Sequence, residues 1–265
     1  MLSIEDIYRN FGKNIFIYPT NHLIIKGASI DLTASKYAWS MKTKKSIYNS
    51  VQRKIVIPPN DTAIIFTNEV LYVTNKIAGT YHSKVSFTAE GLGHIGTSLD
   101  PEVIGPSKIT IHNHNNKEFV INVNHTIVSV CFNKLDTPVA EKSQPDCQDF
   151  IASMTDYENY SDFQNYIDQN PWMTNARQLK LKIKRDPNYV TFKQSLIEEN
   201  FRLHDIKTIA KILLRPFILS IFLVSVYVLL TLIDSSKSID YVIATIFFLL
   251  PYLVNILNIG PHNSL

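Results

Sequence analysis

Two histidines, His112 and His114, stand two positions apart where a β-type run meets the turn Asn113-His114-Asn115-Asn116. Strand alternation would put both imidazoles on one face, and histidine is the side chain that exchanges protons near neutral pH. A pair falls short of a metal centre, which takes three or four protein ligands, and no CxxC or HExxH pattern supplies the others. Two cysteines, Cys131 and Cys147, do not make a disulfide framework. Cys131 sits within the strand-like run Ile127 to Phe132 and reads as a buried thiol. A net charge of +3 over 265 residues gives no ground for a nucleic-acid partner. The start, MLSIEDIYRN, carries acidic residues and no apolar core, and is not expected to be a signal peptide.

The elements that must position such groups can be read from turn signals. Ser3 suits the N-cap of a short helix running to Phe11, with Glu5 and Asp6 in its first turn. Strands are expected at Ile15 to Tyr18, Ile55 to Ile57, Ala63 to Thr67, Val70 to Val73, Ile77 to Val85, Ile109 to His112, Phe119 to Val123 and Ile127 to Phe132. Turns such as Pro58-Pro59-Asn60-Asp61 separate them. Many short, closely spaced strands make residues 1–135 a mainly β sandwich, jelly roll or barrel.

Residues 136–212 read as a linker with helices. Asp136 to Gln148 is polar, Phe150 to Gln169 is acidic, aromatic and partly helical, and Tyr189 to Leu214 is helical. Leu179 to Arg185 alternates apolar and basic residues. It reads as an edge strand whose lysines deter aggregation, or more sharply as a stripe for lipid headgroups.

Residues 213–265 hold two uncharged apolar runs, 216–233 and 241–259, joined by the polar turn Asp234 to Asp240. At about 1.5 Å per residue each covers roughly a 30 Å hydrocarbon core. Soluble helices keep a polar stripe and these show none, so a transmembrane hairpin with the lipid bilayer as partner is expected. Pro251 and Asn255 fit a helix–helix contact face. Arg202, Lys207, Lys211 and Arg215 precede the first span, whereas the turn holds only Lys237. The positive-inside rule then places the N-terminal domain in the cytoplasm.

Several segments of residues 1–135 resemble the dCTP deaminase branch of the dUTPase-like superfamily. They are Met1-Leu2-Ser3 with Asp6-Ile7, Ile15 to Pro19, Gly27-Ala28-Ser29-Ile30-Asp31-Leu32, Ile57-Pro58-Pro59 and Thr67-Asn68-Glu69. Lys84-Val85-Ser86-Phe87, Gly91-Leu92 and His94 follow, then Leu99-Asp100-Pro101 with Gly105, and Ile109-Thr110-Ile111. The resemblance implies a distorted jelly-roll barrel of the dUTPase-like kind, a homotrimer, and pyrimidine nucleotide triphosphate sites at subunit interfaces. It assigns nucleotide binding to Lys84, Ser86, His94 and Asp100, with Lys84 and Ser86 on the phosphates. Asp100 would lie beside the sugar and, if the chain is active, act as the catalytic carboxylate, with Mg²⁺ accompanying the nucleotide.

The chain also departs from that pattern. Metal-free deamination needs a proton carrier, and the family's strand glutamate falls on Thr110 without gaps, or on His112 with two residues inserted. Neither is a carboxylate. A family arginine is replaced by Ala89, a glutamine near the base by Ser129, and the glycine after Asp-Pro by Glu102. Asp31 and Glu69 read as fold-keeping residues. Three functions follow: a nucleotide-binding or sensing pseudoenzyme on a membrane, an active dCTP deaminase or nucleotide pyrophosphatase using Asp100 with Mg²⁺, or a trimeric membrane scaffold.

Overall fold

The computed structural model describes residues 1–20, 23–94, 96–140 and 154–194. All lie within the first of two units, Met1–Leu196. The runs 216–233 and 241–259, with Lys237, Pro251 and Asn255, lie outside the described residues, as does Cys147. Among the described residues no helix is long and apolar enough to cross a membrane.

Helix α1 (Ile4–Asn10) opens on a capping box: the Ser3 hydroxyl accepts the Asp6 N–H, and the Asp6 carboxylate accepts the Ser3 N–H. Twelve strands follow: β1 (Ile15–Tyr18), β2 (Ile24–Lys26), β3 (Ser29–Ser40), β4 (Tyr48–Asn49), β5 (Lys54–Ile57), β6 (Asp61–Val73), β7 (Ile77–Ser83), β8 (Leu92–His94), β9 (Ser98–Leu99), β10 (Ile104–Asn113), β11 (Phe119–Asn122) and β12 (Thr126–Lys134). Helix α2 (Val85–Ala89) sits between β7 and β8. Nine strands form one curled antiparallel sheet ordered β8-β10-β6-β3-β12-β7-β9, with β1 beside β6 and β2 beside β3. The remaining three form a small sheet, β11-β5-β4. The described residues are thus mainly β.

Two expected strands, Ala63 to Thr67 and Val70 to Val73, are one strand bent in the middle. The β6–β10 register runs Pro106↔Val70 and then Lys108↔Phe66, so Thr67, Asn68 and Glu69 bulge opposite a single residue, Ser107. The bulge is braced from within. Glu69 accepts the Thr33 N–H at 2.8 Å and its hydroxyl at 2.7 Å. Asn68 donates to Thr33 Oγ1 and to the Ala34 carbonyl. Glu69 is therefore a fold-keeping acceptor, as expected. The run Ile77 to Val85 also stops short: β7 ends at Ser83, and Val85 starts α2 largely exposed.

After β12 the chain returns across the outer face of the large sheet. Helix α3 (Tyr160–Asp168) buries Phe163 against Phe66 and Tyr37, ring centroids 4.3 and 4.7 Å apart. The Trp39 indole donates to the Glu158 carbonyl at 2.7 Å. A 3-10 turn (Pro171–Met173) leads to helix α4 (Ala176–Arg185), and residues 187–194 are helical.

Helix α4 corrects the edge strand expected over Leu179 to Arg185. Asn175 caps it, accepting the Arg177 and Gln178 N–H groups. Leu179 and Ile183, four apart, are buried, while Leu181 is 47% exposed. Lys180 sits over the Phe16 and Tyr72 rings at 4.8 and 5.0 Å, and Lys182 over Tyr18 and Trp172 at 5.3 and 5.1 Å. Leu, Lys and Arg are strong helix formers, and in this stretch their propensity overrides the coincidental alternation.

Candidate functional site

Asp100 follows β9 at the surface and lines a cavity of about 260 Å³. Leu71, Leu99, Val103, Ile104 and, from α3, Ile167 supply apolar walls. Tyr81, Ser107 and Lys108 supply polar ones. The Tyr81 and Ser107 hydroxyls bond to each other at 2.8 Å. Burial pushes the Tyr81 phenol up to about 12, so it stays protonated. Desolvation pulls the half-buried Lys108 ammonium below its ordinary value.

The loop carrying Asp100 is a tight turn. The Val103 N–H bonds back to the Asp100 carbonyl at 3.4 Å. Pro101 takes the second position, and Glu102 the third with φ +63°. Proline followed by a positive φ is the type II pattern, which favours glycine at that third position. The Glu102 N–H is tied to the Val73 carbonyl at 3.0 Å, anchoring the turn to the end of β6.

Lys84 and Ser86 do not line this cavity. Lys84 precedes α2, and its Nζ donates to Asp31 Oδ1 at 2.7 Å and to Ser129 Oγ at 3.1 Å. Ser129 in turn donates to Asp31 Oδ1 at 2.6 Å. Asp31 on β3, Lys84 after β7 and Ser129 on β12 thus close a three-residue network across adjacent strands. Asp31 is buried and the Lys84 side chain 25% exposed. Asp31 keeps the fold, as expected, but as a charge partner. Ser86 is exposed on α2. The His94 backbone pairs with Ile111; its side chain lies outside what is described.

On β10, Ile109 and Ile111 face the core while Lys108, Thr110 and His112 face outward. The segment contains no carboxylate. His112 Nδ1 lies 2.8 Å from Thr62 Oγ1, and its ring meets that of His114 edge-on at 4.3 Å. The two imidazoles do share one face. Among the described residues no three His, Cys, Asp or Glu side chains gather as metal ligands. Cys131 is only partly buried, because it alternates outward on β12 beside Ser129. Burial raises its thiol pKa, which disfavours the reactive thiolate.

Sequence reasoning missed Tyr81 and Lys108, which carry no local motif. It also missed the Asp31–Lys84–Ser129 network, whose members lie 53 and 98 positions from Asp31. Only the alternation of β10 could have pointed to Lys108, outward with Thr110 and His112.

Fold and site define a mainly β domain whose strand-end aspartate opens on a half-open cavity. The family model described as dCTP deaminase-like matches residues 1–135, about half the chain, and the chain belongs to that family. It is similar to the dCTP deaminase of Thermococcus sibiricus, 29% identical over 126 residues, covering 48% of this chain and 80% of the relative. It is 27% identical to that of Pyrococcus abyssi over the same length and shares. Among solved structures, the 2'-deoxycytidine 5'-triphosphate deaminase from Agrobacterium tumefaciens superposes with a TM-score of 0.40 at 12% identity, over 50% of this chain and 48% of that one. The EIAV dUTPase gives 0.36 at 17% identity, over 50% and 98%.

Proposed function

We propose that this chain is a nucleotide-binding or sensing member of the dCTP deaminase-like family that has lost the deaminase's proton carrier. One observation carries the reading: the outward face of β10, where the resemblance puts a glutamate, presents Thr110 and His112 instead, with His112 engaged by Thr62 and His114. Threonine does not ionise near neutral pH. The ligand is a pyrimidine nucleotide triphosphate whose sugar lies beside Asp100.

A single carboxylate on a cavity suits Mg²⁺ arriving with the nucleotide, since that ion is commonly held by one or two carboxylates plus substrate phosphates. Lys84 gives two of its three ammonium hydrogens to Asp31 and Ser129 and keeps one for a phosphate. Because Lys84 and Ser86 do not line the Asp100 cavity of their own chain, a complete site needs a second copy. That supports a homotrimer with interfacial sites. The uncharged runs 216–233 and 241–259 support a two-span anchor in the bilayer, with the N-terminal domain on the cytoplasmic side.

Calorimetric titration of the full chain in detergent with dCTP and dUTP, with Mg²⁺, tests the binding half. Saturable heat that weakens in Asp100→Asn is expected; no heat with either nucleotide removes the reading. Carbonate-washed membranes should retain the chain, and its release into the wash would remove the anchor.

A second reading has its own support. The relatives are named dCTP deaminases, and an imidazole at position 112 can carry a proton. An active deaminase or pyrophosphatase releases ammonia or pyrophosphate, and loses that release in Asp100→Asn.

A further inference from the structure

We infer that a second ligand site, for a small phosphorylated aromatic molecule, lies where β3 bulges beneath helix α3. The β3–β6 register passes from Ala34↔Thr67 to Ala38↔Ile65, so Ser35, Lys36 and Tyr37 loop out of the strand opposite one residue of β6. The bulge, the turn before β5 and the turn before β12 border a half-open cavity of about 260 Å³. Its walls include Lys36, Tyr37, Arg53, Asn124, Phe163 and Tyr166.

Charge and chemistry both point to an anion. Lys36 and Arg53 line the cavity, and no Asp or Glu does. Neither cation forms an ion pair with a carboxylate among the described residues. A nearby carboxylate is Asp162, which acts on the Tyr37 phenol from α3. Burial first, then Tyr166 and Asp162, pushes that phenol up to about 12, so at neutral pH it is an uncharged O–H donor. A phosphate between Lys36 and Arg53 would meet a point charge and a planar fork able to bind two oxygens at once.

The aromatic half of the ligand follows from the rings. Tyr37 leans on Phe163 at 4.7 Å and on Tyr166 at 5.5 Å. Lys36 Nζ stands 5.1 Å over the Tyr37 ring. Phe163 is itself buried, so a flat ring entering here would meet the half-buried Tyr37 and the exposed edge of Tyr166, with a cation beside them. The volume lies just under the roughly 300–1,000 Å³ typical of drug-sized ligands, which favours a molecule of about nucleoside monophosphate size.

This site is separate from the Asp100 cavity. The two share one lining residue, Pro106. The inference therefore stands whether or not Asp100 binds a nucleotide.

The test is titration of the full chain in detergent with AMP, followed by intrinsic fluorescence, with adenosine and orthophosphate as separate titrants. AMP should bind saturably, at least tenfold more tightly than either fragment. The pair Lys36→Ala/Arg53→Ala should weaken AMP at least tenfold with an unchanged circular dichroism spectrum, Arg53→Lys should weaken it less than Arg53→Ala, and Asp100→Asn should leave it within twofold. Absence of saturable AMP binding overturns the inference. So does orthophosphate binding as tightly as AMP, affinity indifferent to the two cations, or affinity lost in Asp100→Asn.

Discussion

Glu102 occupies a turn position that suits glycine, with φ +63° and its N–H held by Val73. An L-residue in the left-handed region costs about 1–2 kcal/mol, and glycine returns part of that as unfolded-state entropy, about 0.5–1 kcal/mol. Glu102→Gly should therefore stabilise the chain by about 0.5–1 kcal/mol, read as a shift of the urea midpoint at constant slope. The two phenols raised furthest, Tyr81 and Tyr37, set a pH limit. Folded Tyr81 and Tyr37 titrate at about 12 against 10.0 ordinarily. Between those values the unfolded chain loses protons that the folded chain keeps, so stability falls as pH rises from 10 towards 12. Tyr81→Phe should flatten that fall in denaturation curves taken across the range. At this scale the sequence was legible where partners are local. Ser3 reads as the N-cap from its place before the apolar-acidic run; the return bond from Asp6, three residues on, comes only with the structure. Lys84 could not be read, because the buried carboxylate that holds it is 53 positions away.

Helix α4 shows where pattern reading fails for an element. Leu179, Leu181 and Ile183 alternate as a strand would require, yet only Leu179 and Ile183 are buried. A periodicity of two and one of 3.6 both bring residues 179 and 183 onto one face; they differ over residue 181. Ile183→Ala should cost about 2–4 kcal/mol, and Leu181→Ala less than about 1 kcal/mol, by chemical denaturation. Equal costs would restore the strand. The long strand β3 was recognised only in its first residues, through family resemblance. Its burial runs nearly unbroken, with polar residues such as Thr33 and Ser40 also buried, so it shows no alternation to read. The strands with clean turns on both sides, β1, β5 and β11, fell close to where they were expected.

Taken whole, residues 154–194 complete the outer face of the sheet. Phe163 covers Phe66 and Trp39, Leu179 and Ile183 pack inward, and Tyr189 stacks on Phe11 at 5.9 Å. Their composition, acidic and aromatic and then basic, suggested a linker because the surface they cover is built from distant strands. A chain cut after Leu135 should lose solubility and its cooperative melt, whereas one cut after Gln194 should keep both; comparison of the two by size exclusion and thermal denaturation checks this.

Under the proposed function the chain binds a pyrimidine triphosphate without deaminating it. The direct measurement is ammonia production by the full chain in detergent, with Mg²⁺ and dCTP at a concentration that saturates the calorimetric signal. A bound nucleotide and ammonia at the level of a protein-free control are expected. Ammonia that accumulates in proportion to protein, and disappears in His112→Ala, would contradict that function.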